Sequence, residues 1–354
     1  MNPGEELEVG KVDAWLKDRV SGLSGALEVT QYRGGASNWT YRLRYASHDL
    51  VLRRPPAGTK AKSAHDMGRE YRIQKALAPV FPFVPEMIAF CDDESVIGCE
   101  FYVMHRLDGT ILRKDPPRDL ALTPDQTRRL CLNVIDTLIA LHRVDVTTPG
   151  LESLGKGAGY TRRQVEGWSD RYRKARTWNV PRLEDVMSWL AARTPEDVAT
   201  CLIHNDFRFD NVVLDPKAPT RVVGVLDWEM ATLGDPLADL GYTLIYWGEE
   251  GDPAEYLAAL TGAAVTAQPG FFQRQELIET YARLSGRDVS AIEFYRVLAH
   301  YKLAVIVEGI HARFLAGETV GEGFEGMGDR CELLVEAALA IADSADDPRL
   351  RGTV

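Results

Sequence analysis

The spacing of apolar and polar residues changes character about a third of the way along this chain. Before that point "ALEVTQYR", "WTYRLRYA" and "DLVLRR" alternate residue by residue, as half-buried antiparallel strands do. A helical segment, "KVDAWLKDRV", precedes them. "HDMGREYRIQKAL" then returns to helical spacing, with Met67, Tyr71 and either Gln74 or Lys75 near one face. "MIAFCDD" and "CEFYVMHRL" resume strand character. The pattern predicts three strands, a helix and two strands, behind a leading helix.

Beyond about residue 108 the pattern is helical. "TPDQTRRLCLNVIDTLIALHRV" opens with Thr123, Pro124 and Gln126, a capping box with proline at the first helical position. Cys131, Ile135, Leu138 and Leu141 continue as an apolar stripe. Two short strands interrupt the helices, "NVVLD" and "RVVGVLDWE", joined by the turn "PKAPT". Helices are predicted again over roughly 236 to 343.

Composition narrows the partners. The 354 residues carry a formal net charge of -11, with 45% hydrophobic and 26% charged residues. That is ordinary for a globular protein. The acidity argues against nucleic acid, which needs a basic surface, and leaves small molecules open. The five cysteines are scattered without C-x-x-C spacing, so neither a disulfide framework nor a zinc site is expected, and a reducing cytoplasm fits best. The start "MNPGEELEVGKVDAWL" lacks the apolar core of a signal peptide. No apolar run approaches the roughly 18 residues of a membrane span, so no membrane partner is expected. Oligomeric state leaves no trace in the sequence.

The chemistry concentrates in "HNDFRFDN", residues 204–211. Asp206 and Asn211 lie five residues apart, and the predicted hairpin would fold Asp227 back beside them. An Asx-rich turn alone would explain each residue singly, but not the ordered set with "LDWE" downstream. Asp206 would accept or orient a hydroxyl proton. Asn211 and Asp227 would hold Mg²⁺ against phosphates, since oxygen ligands at a partly hydrated site suit that ion.

"H-N-D-x-x-x-x-N" followed by "V-L-D-W-E" resembles the aminoglycoside phosphotransferase and choline-kinase-like family, with Asn205 where the family usually has glycine. "GDPLADLGY" resembles the family's next segment. The resemblance implies an α+β, two-lobed protein-kinase-like fold. A small antiparallel-sheet N-lobe would span 1–107 and a mainly helical, catalytic C-lobe 108–354. It also implies ATP or GTP as donor, Mg²⁺, and a small-molecule hydroxyl as acceptor.

The N-lobe offers matching parts under that resemblance. Gly34, Gly35, Ser37 and Asn38 would form the loop over the phosphates. Val51 would pack on the adenine and Arg53, where the family more often has lysine, would reach the phosphates. Glu70 would pair with Arg53. Backbone groups of His105 and Leu107 would meet the adenine edge. His204 and His142 read as structural, Asp235 as a helix N-cap, and Asp239 as a brace for the catalytic loop. Glu229 reads either as a carboxylate near the metal or as a strand-end residue.

"RQVEGW" and "VLRRPP" resemble a subgroup related to the kinase-like domains fused to acyl-CoA dehydrogenases, which is associated with hydroxyacyl-CoA phosphorylation. Residues 161–178 hold six basic side chains against Glu166 and Asp170. An anion-attracting wall built from Arg162, Arg163, Arg171 and Arg173 is therefore expected beside Asp206, favouring a hydroxyacyl-CoA or another anionic acceptor. A polycationic aminoglycoside acceptor and a catalytically silent nucleotide-binding regulator are the competing expectations.

Overall fold

The alternating segments pair into one antiparallel sheet. In the computed structural model, which describes residues 6–32, 38–56, 66–113, 122–178, 180–319 and 323–345, its strands are β1 (Glu28–Gln31), β2 (Trp39–Arg44), β3 (Asp49–Arg54), β4 (Met87–Cys91) and β5 (Phe101–His105). Their spatial order is β1-β2-β3-β5-β4. Period-two alternation divides β3 between two environments. Leu50 and Leu52 join Val12, Trp15 and Leu16 of helix α1 (Val9–Arg19) in an outer core, with Phe101 and Val103 of β5. Val51 turns to the opposite face, with Met104, Tyr102 and Met67. Met67 opens helix α2 (Met67–Leu77), capped by Asp66, whose carboxylate accepts from the Arg69 amide. A single helical turn, α3 (Glu94–Ile97), separates β4 from β5.

The helical part is built on a separate, larger core. Helix α4 (Pro124–His142) begins at the expected capping box, with both reciprocal Thr123–Gln126 bonds present. Helices α5 (Tyr160–Ala175) and α6 (Leu183–Arg193) follow. The short strands β7 (Val212–Leu214) and β8 (Val222–Val225) pair antiparallel as predicted. The sequence reading missed a second pair, β6 (Cys201–Ile203) with β9 (Thr232–Gly234). Each has three residues, too few to show a period, and their partners are not neighbours in sequence.

Helices α7 (Pro236–Ile245), α8 (Ala254–Ala259), α9 (Ala263–Thr266), α10 (Arg274–Ser285), α11 (Ile292–Leu315) and α12 (Met327–Ser344) complete the chain. The α+β, two-lobed architecture expected from the resemblance is the one observed. Among the described residues no helix is long and apolar enough to cross a membrane.

Helix α11 runs through the middle of this lobe and packs on α12, α7, α5 and α6. Its approach to α7 depends on Gly241: a Cβ there would sit 2.8 Å from the Tyr295 carbonyl oxygen. That obstacle is backbone and cannot rotate away. Gly241→Ala should therefore destabilise the fold by about 1–3 kcal/mol through overpacking, read by urea denaturation. An unchanged midpoint would show that α7 and α11 can separate freely.

Candidate active site

Strand β6 delivers the chain into the loop that starts at His204. At Asn205 the backbone turns left-handed, with φ of 63°. Glycine adopts that conformation without cost and asparagine is among the few other residues that tolerate it. This explains how Asn205 stands where glycine is usual. Its side chain is engaged as well, Nδ2 donating to the Met230 carbonyl at 3.0 Å and Oδ1 accepting from the Tyr160 hydroxyl at 3.0 Å.

The loop is fixed from behind by Asp239, fully buried on α7. Its Oδ2 accepts from the His204 amide and Oδ1 from the Asn205 amide, both at 2.7 Å. His142 of α4 donates from Nε2 to Oδ2 at 3.1 Å, and its Nδ1 accepts from the Tyr281 hydroxyl at 2.8 Å. Burial opposes ionisation of Asp239, but the bonds from His142 and His204 hold its carboxyl below the usual range. Burial pushes His142 down, which suits the neutral ring this bonding requires. His204 is fixed in the same manner. Its Nε2 donates to the Leu226 carbonyl at 3.0 Å and its Nδ1 accepts from the Asp206 amide at 3.3 Å. Both ring nitrogens are engaged with backbone, which leaves His204 no proton to transfer.

Asp206 and Asn211 face each other across this loop. The Asn211 Nδ2 donates to Oδ2 and to the backbone carbonyl of Asp206, each at 2.9 Å. The amide nitrogen is thus occupied, and the carbonyl oxygen is the atom Asn211 can offer. On the other carboxylate oxygen of Asp206, Arg208 Nε lies at 3.1 Å. Burial raises the Asp206 carboxyl, and Arg208 and His204 oppose that shift.

The β7–β8 hairpin returns the chain to Asn211, where the Leu226 amide donates to the Asn211 carbonyl at 2.8 Å. Asp227 follows, left-handed at φ of 67°. Its Oδ1 accepts from Arg53 Nη2 at 3.3 Å, and Arg53 Nη1 donates to Glu70 Oε1 at 2.6 Å. Burial pushes the Glu70 carboxyl up, opposed by Arg53. Arg53 thereby bridges the sheet, helix α2 and the loop at Asp227. Arg69 adds a second link, donating to the carbonyls of Glu229 and Ala231. Asn38 adds a third, its Nδ2 donating to Glu229 Oε2 at 2.9 Å.

Asn38, Arg53, Asp206, Arg208, Asn211 and Asp227 line one cleft of about 1290 Å³. That exceeds the roughly 300–1,000 Å³ of an ordinary single-ligand pocket, so two small molecules fit side by side. Val51, Met104, Leu107, Val213 and Leu226 form an apolar stretch of wall, and His105 lies beside them. The His105 amide already donates to the Glu86 carbonyl at 2.8 Å, so its carbonyl is the backbone group left for a ligand. Gly34, Gly35 and Ser37 lie outside the described residues. No group of three or more His, Cys, Asp or Glu side chains among the described residues forms a metal cage. The donor set of Asn211 Oδ1 and Asp227 Oδ2 instead leaves most coordination positions to water or a ligand, as Mg²⁺ prefers.

The expected basic wall is not part of this cleft. None of Arg162, Arg163, Arg171 and Arg173 lines it. Arg163 donates to the carbonyls of Gly157 and Ala158, Arg171 lies over the Trp168 ring, and Arg173 pairs with Asp170. An amphipathic helix buries its apolar stripe, and here that stripe takes Val165, Trp168 and Tyr172 inward. The arginines are left to the outer side. The cleft draws its positive charge from Arg53, Arg106, Arg113, Arg208 and Arg330. Of those missed by the sequence reading, Arg208 stands inside the motif itself and could have been found there. Arg330 lies on the last helix, where no local pattern marks it.

A model of the phosphotransferase enzyme family matches residues 28–277. A solved structure of a putative aminoglycoside phosphotransferase from Ralstonia eutropha is 30% identical, covers 97% of this chain and 100% of its own, and has a TM-score of 0.80. The acyl-CoA dehydrogenase family member 11 of Gallus gallus is 37% identical over 325 residues, 90% of this chain but 41% of its own length. The chain thus spans less than half of that relative, and the subgroup resemblance read from the sequence is borne out. The aminoglycoside phosphotransferase APH(4)-Ia, solved with ADP and hygromycin B, shares the fold at a TM-score of 0.59 and 14% identity, with 92% of this chain and 98% of its own covered.

Removing the Asp239 carboxylate would leave the amides of His204 and Asn205 and the His142 ring without their buried acceptor. Asp239→Ala should cost about 3 kcal/mol of stability or more, at roughly 1–3 kcal/mol for each buried donor left unpaired, measured by equilibrium unfolding followed through tryptophan fluorescence. An unfolding midpoint equal to that of the parent protein would show that the loop does not hang on this group.

Proposed function

The chain belongs to the phosphotransferase enzyme family, and from that premise we propose that it transfers the γ-phosphoryl group of ATP to a hydroxyl of a small molecule. The observation that carries this reading is the meeting of Asp206, Asn211 and Asp227 in one cleft large enough for two ligands. We place the sheet lobe at 1–107 and the helical lobe at 108–354, with the nucleotide between them. Val51 and Leu107 flank the adenine, and the carbonyl of His105 and amide of Leu107 meet its edge. Gly34, Gly35, Ser37 and Asn38 cover the phosphates, and Arg53, held by Glu70, is the cation beside them. GTP fits the same backbone contacts less simply, because its ring edge presents a carbonyl where adenine presents an amino group.

In the transfer, the acceptor hydroxyl gives its proton to Asp206 as its oxygen attacks the γ-phosphorus. The bond from that phosphorus to the bridging oxygen breaks and ADP leaves. Asn211 orients Asp206 through its amide, and the raised Asp206 carboxyl suits a proton acceptor better than an ordinary surface aspartate would. Mg²⁺, held by Asn211 and Asp227, would supply neutralisation of phosphate charge. Three polar residues in these roles argue against a silent nucleotide-binding regulator, which has no chemical need of the set.

For the acceptor, we favour a hydroxyacyl-CoA or another anionic alcohol over an aminoglycoside. The kinship with acyl-CoA dehydrogenase family members supports the acyl-CoA class. The cleft's five arginines outnumber its four carboxylates, which favours an anion over a polycation. An ATP-consumption screen across sugars, amino alcohols, aminoglycosides and hydroxyacyl-CoAs tests the choice; turnover of kanamycin-type compounds alone would reject it.

Two variants separate the proposed roles. Asp227→Ala should abolish the Mg²⁺-dependence of ATP affinity in calorimetry, and an unchanged dependence would remove Asp227 from the metal site. Asp206→Asn should bind MgATP normally yet turn over about 10²- to 10⁴-fold more slowly. Parental turnover by that variant would contradict its role as base.

A further inference from the structure

Arg330 is a cation of the cleft that has no counter-charge among the described residues. It stands in the first turn of α12 and lines the cleft with Asp206, Arg208, Tyr246 and Thr261. The other arginines there have carboxylate partners or lie exposed. Arg53 is paired with Glu70 and Asp227, and Arg106 with Asp49 and Asp108. Arg208 is paired with Asp206 and Asp210, donates to the Thr261 carbonyl, and lies over the Tyr246 ring. Arg113 is exposed at the rim. Among the described residues Arg330 has no ion pair, and its buried Nε has no hydrogen-bond partner. Its electrostatic neighbours are Tyr246, Tyr242 and a like charge, Arg208; burial and Arg208 both push its ionisation down.

A guanidinium stays protonated in proteins, and a partly desolvated charge beside a like charge is costly unless it is paired. Among the described residues none supplies a partner here, which points to a ligand. The ligand is not the nucleotide on the proposed placement, because Arg330's charged and polar neighbours, Arg208, Tyr242 and Tyr246, all belong to the helical lobe, whereas Val51 and Met104 belong to the sheet. Arg208 stands beside Arg330 and keeps one N–H unused despite its ion pairs. Its Nε lies 3.1 Å from Asp206 Oδ1, yet that N–H makes no hydrogen bond.

We propose that Arg330, together with Arg208, receives an anionic group of the acceptor, a carboxylate or a phosphate, and so selects acidic alcohols over neutral ones. The planar fork of arginine binds either group through paired hydrogen bonds. The inference rests on the phosphotransferase reading in one respect, that an acceptor occupies this part of the cleft.

The test is a ligand-observed NMR titration of the full chain, saturated with MgADP, using three probes. 3-Hydroxybutanoate carries the carboxylate, glycerol 3-phosphate the phosphate, and 1,3-butanediol neither. At least one anionic probe should bind more tightly than the diol, and which one does so identifies the source of the charge. Arg330→Gln should weaken that probe about ten- to a hundred-fold while MgATP affinity changes less than two-fold. Arg330→Lys should recover part of the loss, because it keeps the charge without the fork; it also serves if the glutamine variant folds poorly. The proposal falls if neither anionic probe binds the parent protein, if the diol binds as well, or if the loss falls on MgATP instead. Each of those outcomes leaves the phosphotransferase reading standing, since that reading is decided separately by MgATP binding and transfer.

Discussion

The carboxylate of Asp239 takes the amides of two consecutive residues, His204 and Asn205, and a third hydrogen bond from His142. A single buried anion thereby fixes the backbone immediately before Asp206. Asn205 itself is left-handed, so the chain turns sharply inside that grip. His204 passes the constraint onward in two directions, to the Asp206 amide and to the carbonyl of Leu226 at the end of the β7–β8 hairpin. Asp206 and Asp227 are therefore positioned by the same buried group, though they lie on different elements.

The sheet lobe is tied to this frame through helix α2. Glu70 holds Arg53, Arg53 reaches Asp227, and Arg69 grips the carbonyls of Glu229 and Ala231 just beyond it. A shift of α2 would break all of these contacts together. On the proposed placement of the nucleotide, its binding would depend on the position of one helix, with Asn38 closing the same circuit from the strand side through Glu229.

What was legible in the sequence was what is local. The strands of the sheet announce themselves by alternation, helix α4 by its capping box, and the catalytic loop by side chains at fixed spacing. The brace role of Asp239 was also readable, because it lies in a segment with a recognisable pattern; His142 was read only as structural, and its bond to Asp239 comes from tertiary packing. Residues 161–178 were misread because a count of charges does not say which side of a helix they occupy; Val165, Trp168 and Tyr172 claim the inner side, and the arginines pair with nearby groups. The β6–β9 pair was invisible because three-residue strands have no period to detect. Arg330 was invisible for a different reason: only tertiary packing brings α12 to the cleft, and a lone arginine in a helix carries no signal of its partners.

The central claim is that this cleft moves a phosphoryl group from ATP to an alcohol. The most direct measurement supplies the purified chain with γ-³²P-labelled ATP, Mg²⁺ and a mixture of hydroxyacyl-CoAs and other hydroxy acids, and follows the label by chromatography and mass spectrometry. The account predicts label in an organic phosphomonoester, formed in step with ADP and only when Mg²⁺ is present. Label found solely in inorganic phosphate, or retained in ATP that binds without turnover, would contradict it.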